Sequence, residues 1–295
     1  MTSFRAYGHD AFLIWPPNPA PRQVTIYRGG LMSEQYGVLI KGHLVPFELM
    51  GQILPPAVRH AIAARVMAPP PVRHAEPTML FSMDDETAKP NRRLFDLAAR
   101  LAQEAPFVTH PLLSSRQGEG PSWYEVFPGE HYNLLTALCR LLEARTVWEF
   151  GTDSGMGTIA LAEGLPAGGR IFTVDIDPWT SKSGPWLQEA DFADGKVTQI
   201  VSDMSAETLF STYADDIADA DLIFVDGPKD DVTEQTFLDR LAAVAFRKRP
   251  IVVFDDIKVV NMLSIWRGVT RPKFDLTSFG HWSGTGVVDW NPEEV

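Results

Sequence analysis

The chain has 295 residues, 45% of them hydrophobic and 22% charged, a balance that excludes wholesale disorder and allows a large α/β domain with an accessory region. Acidic residues outnumber basic ones 38 to 26, and the net charge of −12 argues against a nucleic-acid backbone as partner. A single cysteine, Cys139, excludes an intrachain disulfide and a thiolate metal site.

The first residues, Met1 to Tyr7, lack the apolar core of a signal peptide, and no run approaches the roughly 20 apolar residues that span a bilayer. No membrane is therefore expected, and a cytoplasmic location follows by default. Up to residue 78, Pro16-Pro17, Pro19, Pro21, Pro55-Pro56 and Pro69-Pro70-Pro71 break the chain into short pieces. Residues 1–78 read as an accessory region for oligomerisation or substrate cover, and 79–295 as the main domain with its leading helices. Within the first, Gln23 to Tyr27 and Tyr36 to Leu44 read as strands around Gly29-Gly30, and Ala57 to Met67 as a helix. Met67-Ala68-Pro69-Pro70-Pro71 is the linker candidate. The strands and apolar segments of so small a module make a dimer the expected assembly.

Arg92 to Glu104 and His131 to Ala144 carry the apolar spacing of amphipathic helices, with Cys139 as a buried structural thiol in the second. From Thr146 onward, apolar runs recur at Val147 to Phe150, Ile171 to Val174, Val197 to Val201, Leu222 to Val225 and Ile251 to Phe254. Such continuous runs, alternating with helical segments, predict a doubly wound, mostly parallel sheet covered on both faces. Phe274 to Phe279 and Gly286 to Trp290 are too close in sequence for a helical crossover and predict a terminal antiparallel hairpin. The basic cluster Arg247-Lys248-Arg249 reads as a solvated turn rather than a binding patch.

The turn after the first core strand, Gly151-Thr152-Asp153-Ser154-Gly155-Met156-Gly157-Thr158, leads into the helical Ile159 to Glu163 and marks a ligand site at a strand's carboxyl end. Two ligands compete for it. Gly155-Met156-Gly157-Thr158-Ile159-Ala160 satisfies the dinucleotide fingerprint, and Asp175 lies 18 residues after Gly157, near where a ribose-binding acid belongs. Against a dinucleotide, four residues separate Phe150 from Gly155, and Glu149 places an acid in the strand where a cationic ligand end suits better than pyrophosphate.

Val147 to Gly155, continued through Ile159-Ala160-Leu161-Ala162 to Thr173-Val174-Asp175-Ile176-Asp177-Pro178, resembles the catechol and caffeoyl-CoA O-methyltransferase group of class I S-adenosylmethionine-dependent methyltransferases. The likeness starts at Pro128-Gly129-Glu130 and covers about residues 127–290. It implies a seven-stranded Rossmann-like methyltransferase sheet, a cofactor turn built on Glu149, Gly151 and Gly155, Asp175 on the ribose hydroxyls and Asp203 beside the adenine. Asp226, after the fourth strand, and Asp255-Asp256, after the fifth, bring three acids to the carboxyl edge, a donor set suited to Mg²⁺ or another hard divalent cation. The resemblance makes Lys229, three residues after Asp226, the general-base candidate, although the adjacent Asp230 and Asp231 would raise its pKa. The group usually shows Asp-Asn where this chain has Asp255-Asp256.

His110 and His131 read as packing or hydrogen-bonding residues, and His281, beside Trp282 before the last strand, as an alternative base. Trp179, Trp186, Trp266 and Trp282 are candidates to stack on adenine or wall an acceptor. The resulting expectation is methyl transfer to a hydroxyl of a small molecule, catechol-like or a secondary metabolite. An NAD-dependent oxidoreductase and a non-catalytic cofactor-binding scaffold are the alternatives.

Overall fold

The computed structural model describes the backbone of 10–13, 24–27, 37–40 and 43–46, and in full 88–117, 131–230, 232–258, 262–277, 280 and 283–291. The chain divides into two compact units, Met1–Ala68 and Pro69–Val295. No helix of the described residues is long and apolar enough to cross a membrane.

The first unit contains a four-stranded antiparallel meander: β1 (Asp10–Leu13), β2 (Val24–Tyr27), β3 (Gly37–Ile40) and β4 (His43–Pro46). The single strand expected over Tyr36 to Leu44 is two strands. Ile40 pairs with His43, so only Lys41 and Gly42 connect them, a length at which glycine favours reversal. The first strand carries no turn signals of its own and was not expected. The helix read at Ala57 to Met67 lies outside the described residues.

In the second unit, α1 (Arg92–Glu104) buries Leu94, Leu97, Ala98 and Leu101, one stripe at helical spacing, and Asn91 Oδ1 caps it by accepting from the Leu94 amide at 3.1 Å. The short α2 (Pro111–Arg116) follows, and α3 (His131–Leu142) is buried along most of its length, including Cys139, whose thiol burial keeps protonated. Thr136 on α3 donates to the Ala160 carbonyl at 2.6 Å, and a Cβ on Gly164 would lie 2.5 Å from the Thr136 oxygen. Absence of that side chain is what lets α3 press against α4 (Met156–Gly164).

The sheet has the order β10-β11-β9-β8-β5-β6-β7, with β5 (Thr146–Phe150), β6 (Arg170–Asp175), β7 (Val197–Val201), β8 (Leu222–Val225) and β9 (Ile251–Asp255) all parallel. β10 (Lys273–Asp275) and β11 (Thr285–Asp289) run antiparallel at one side. The expected strand to Phe279 stops at Asp275, whose carboxylate accepts from the Thr277 amide and hydroxyl and turns the chain. Strand alternation sorts the core into two layers: Val147, Leu222, Phe224, Ile251 and Val253 face α1, α3 and α4. Trp148, Phe150, Ile223, Val225, Val252 and Phe254 face the other layer, including α5 (Glu207–Thr212), α7 (Val232–Ala243) and α8 (Met262–Gly268), with the short α6 (Ala214–Ala218) alongside.

Candidate active site

Parallel strands deliver whatever follows them to one edge of the sheet, and the predicted acids collect there. Glu149, in phase with Val147, points to the α3 face and is 1% exposed. Its Oε2 accepts from the hydroxyl of Thr173 at 2.6 Å and from that of Thr158, while Oε1 has no hydrogen-bond partner among the described residues. Burial pushes this carboxyl up to about 8 despite the two threonines, so a cationic or donor-bearing ligand group would satisfy it.

The glycine turn is held by backbone geometry. Gly151 adopts φ +110°, and a Cβ there would sit 1.9 Å from the carbonyl oxygen of Asp226. Glycine is therefore required both for its conformation and for the approach of β8's end to β5's. Asp153, at φ 41°, sends its amide to Asp175 Oδ2 at 2.9 Å, and Asp177 sends its own to Oδ1 at 3.0 Å. Asp175 thus braces the turn it was expected to serve. Lys182 stands 3.8 Å from both Asp153 and Asp175 and 3.4 Å from Asp177, a cation the sequence did not single out.

A Cβ on Gly157 would lie 2.4 Å from Glu149 Oε1. In the dinucleotide fingerprint this second glycine clears space for pyrophosphate, whereas here a carboxyl group fills the space. That occupancy tells against the dinucleotide reading of the turn. The outer wall is Trp186 and Leu187, whose amides approach the Ser154 carbonyl at 2.8 and 3.4 Å, and Leu187 packs where a Gly155 side chain would be. A short Arg116 to Asp191 pair, both mostly buried, fixes that wall.

Beyond β8 and β9, single oxygens of Asp226, Asp255 and Asp256 lie within 4.8 Å of one another. Asp256 is presented at φ 60°, a left-handed conformation unusual for a non-glycine residue. Lys229 bonds Asp226 Oδ1 at 2.9 Å and the Gly227 carbonyl at 2.8 Å, and lies 3.5 Å from Asp256. Burial and then the nearby Asp255 push the Asp226 carboxyl up to about 7; its side chain keeps 40% exposure, so solvent tempers the burial effect. For Lys229 burial lowers the pKa, but Asp226, Asp256 and Asp255 outweigh it and leave it raised. Asp226, three residues earlier in the same loop, acts most strongly on this lysine, and Asp256 and Asp255 add to it from the end of β9. Among the described residues, three carboxylates stand against one ammonium, a hard-oxygen donor set that fits a divalent cation.

Asp203 stands apart from these groups in its bonding. It is exposed, and its Oδ1 accepts from the Ser205 amide and hydroxyl, both at 2.7 Å. His281 and Trp282 lie outside the described residues. Trp266 is buried against Gly286 in the far core layer, and Trp179 stacks on Phe192 at 5.6 Å. His110 bonds Glu163 and Asn133, each at 2.8 Å, as a packing histidine should.

Two neighbours of the acids were not singled out for the site. His131 Nδ1 lies 3.9 Å from Asp255 Oδ1, and Tyr132 has its phenol driven above the usual range by burial and then by Asp226, Asp255 and Glu149. A helix that precedes a parallel strand runs antiparallel to it, so its first turn overlies the carboxyl edge. Polar residues opening α3 were the available signal.

Residues 123–268 match the O-methyltransferase family. Catechol O-methyltransferase domain-containing protein 1 of Mus musculus is 33% identical over 97 residues, 32% of this chain and 36% of that protein. Catechol O-methyltransferase of Niastella koreensis is 30% identical over 108 residues, 36% of this chain and 46% of that protein. The chain therefore spans less than half the length of these curated relatives. An O-methyltransferase from Bacillus cereus, solved in complex with SAH, aligns over 65% of this chain and 90% of its own at 17% identity and a TM-score of 0.40. The likeness to the O-methyltransferase family thus rests on residues 123–268.

Proposed function

We propose that the chain is an S-adenosylmethionine-dependent O-methyltransferase that methylates a hydroxyl of a small molecule with the help of a divalent cation. The observation that carries the reading is the convergence of two sites on one sheet edge: the buried Glu149 beside its glycine turn, and the carboxylates of Asp226, Asp255 and Asp256. Gly151 joins them, because its missing side chain brings the turn against the Asp226 backbone.

In this reading Glu149, Gly151, Gly155 and Asp175 hold the methyl donor, with Asp203 at the far end, and Asp226, Asp255 and Asp256 hold Mg²⁺ or a similar ion. The ion, when bound, supplies Lewis acidity that lowers an acceptor hydroxyl's pKa. The turn's contribution is positioning, since displacement at a methyl group needs the attacking oxygen held in line. Lys229 owes its raised proton affinity to the three acids; with their charge offset by a divalent ion, burial and the ion's own charge would both lower the lysine toward the range of a general base. His281 remains a second base candidate. The same reading makes the protein a cytoplasmic homodimer acting on a catechol-like or secondary-metabolite acceptor, with residues 1–78 serving assembly or substrate cover.

Isothermal titration of the full chain with S-adenosylmethionine tests the proposal. Saturable one-site binding, with turnover of a catechol acceptor that EDTA abolishes, is the expected result. A folded chain that takes up no S-adenosylmethionine overturns the function, whereas turnover insensitive to EDTA removes only the cation.

A further inference from the structure

A cleft of about 680 Å³ opens at the edge of the sheet opposite the acids, lined in part by Arg92, Arg93, Arg100 and Arg249. Register places it there. Arg249 comes two residues before β9, whose other end is Asp255, so a strand of five residues, ~17 Å long, separates the two edges. Asp289 confirms the side, since it pairs with Ile251 across the antiparallel ladder.

The charge of the cleft runs against that of the whole chain, which carries −12. Arg93 and Arg249 are fixed from behind by the fully buried Asp289, at 2.7 Å and 2.6 Å, with Asn91 adding a bond of 2.7 Å to the same carboxylate. One carboxylate thus holds two guanidinium groups, and each keeps nearly a third of its side chain exposed. Arg92, Asp96 and Arg100 follow at four-residue spacing on α1, where the one acid pairs with Arg92 at 3.6 Å on a solvated surface. Among the described residues, four guanidinium groups therefore face two carboxylates in and behind the cleft. Leu97, Leu141, Leu142 and Pro272 supply an apolar wall. The volume falls within the roughly 300–1,000 Å³ of small-molecule sites and far exceeds what an inorganic ion fills.

We infer that this cleft is a binding site for a small organic anion, a phosphate or carboxylate carried on an apolar body, separate from the methyl-transfer site. Arginine suits that head group because its planar fork accepts two oxygens at once, and guanidiniums already oriented by Asp289 lose little freedom on binding. The apolar wall takes the body. This inference does not depend on the reaction proposed above.

Titration calorimetry of the full chain with phenyl phosphate, benzoate and, as a neutral control, benzyl alcohol tests it. We expect one anion or both to bind saturably, the stronger one naming the head group, with affinity that falls as NaCl rises. The double variant Arg92→Ala/Arg100→Ala removes two exposed side chains outside the Asp289 network, so it should keep its melting temperature and lose about tenfold or more in affinity. Asp226→Asn should bind as the unaltered chain does. No saturable binding of either anion at millimolar concentration, equal binding of benzyl alcohol, unchanged affinity in the double variant, or a loss confined to Asp226→Asn would each overturn the site.

Discussion

The two edges of one sheet treat buried carboxylates in opposite ways. At the amino edge Asp289 is enclosed by Arg93, Arg249 and Asn91, and these partners hold its carboxyl below the usual range although burial alone would raise it. At the carboxyl edge Asp226 and Asp256 share Lys229, Asp255 lies beside His131, and Glu149 leaves an oxygen without a partner among the described residues. A matched carboxylate serves the fold. Glu149, with its unpartnered oxygen, is left for a ligand, and the free energy withheld from the fold is available for binding.

Substitutions can break that contrast. The largest expected effect is on turnover: Asp226→Asn should lower the rate of methyl transfer about 10²–10⁴-fold, while in EDTA its urea midpoint should stay level or rise because one of three crowded acids is gone. Gly151→Ala should cost about 3 kcal/mol in urea unfolding, combining a strained φ with a collision against the Asp226 carbonyl. Asp289→Asn should cost about 2–3 kcal/mol by the same measurement and leave S-adenosylmethionine affinity unaltered. Equal stability losses for Asp226→Asn and Asp289→Asn would abolish the distinction between the edges.

The pH dependence is the most pointed test, because the two edges should give opposite slopes. Glu149 rises from 4.5 to about 8 on folding, so the native state binds the extra proton, and ligand-free stability should fall as pH climbs between those values. Asp289 is shifted the other way, so its contribution is present above its ordinary value of 3.8 and is lost as pH drops through the lower folded value. Urea melts in EDTA across this range should show both limbs, with Glu149→Gln flattening the upper one and Asp289→Asn the lower.

Much of the site was legible because its residues follow strands. Apolar runs locate strand ends, parallel strands share a carboxyl edge, and Asp175, Asp226 and Asp255 each stand at or just beyond one. The partners of those residues were less legible. Thr158 and Thr173 are ordinary helix and strand residues until Glu149 is buried between them, and nothing local marks Lys182 as the cation nearest Asp175. Arg249 reads as part of a solvated turn, and within that cluster Arg247 does pair with exposed Asp215 and Asp219. Arg249 differs because its partner lies 40 residues later on an antiparallel strand.

By itself, then, the sequence determined the alternation of strands and helices, the glycine turn and the acids that follow successive strands, since these depend on periodicity and on residues near one another in the chain. Only the tertiary structure decided that Gly157 faces a carboxyl group rather than open space, that Asp255 and Asp256 join Asp226 in acting on Lys229, and that the amino edge gathers arginines. Those are contacts between distant segments, and sheet register together with helix packing, rather than local pattern, selects them.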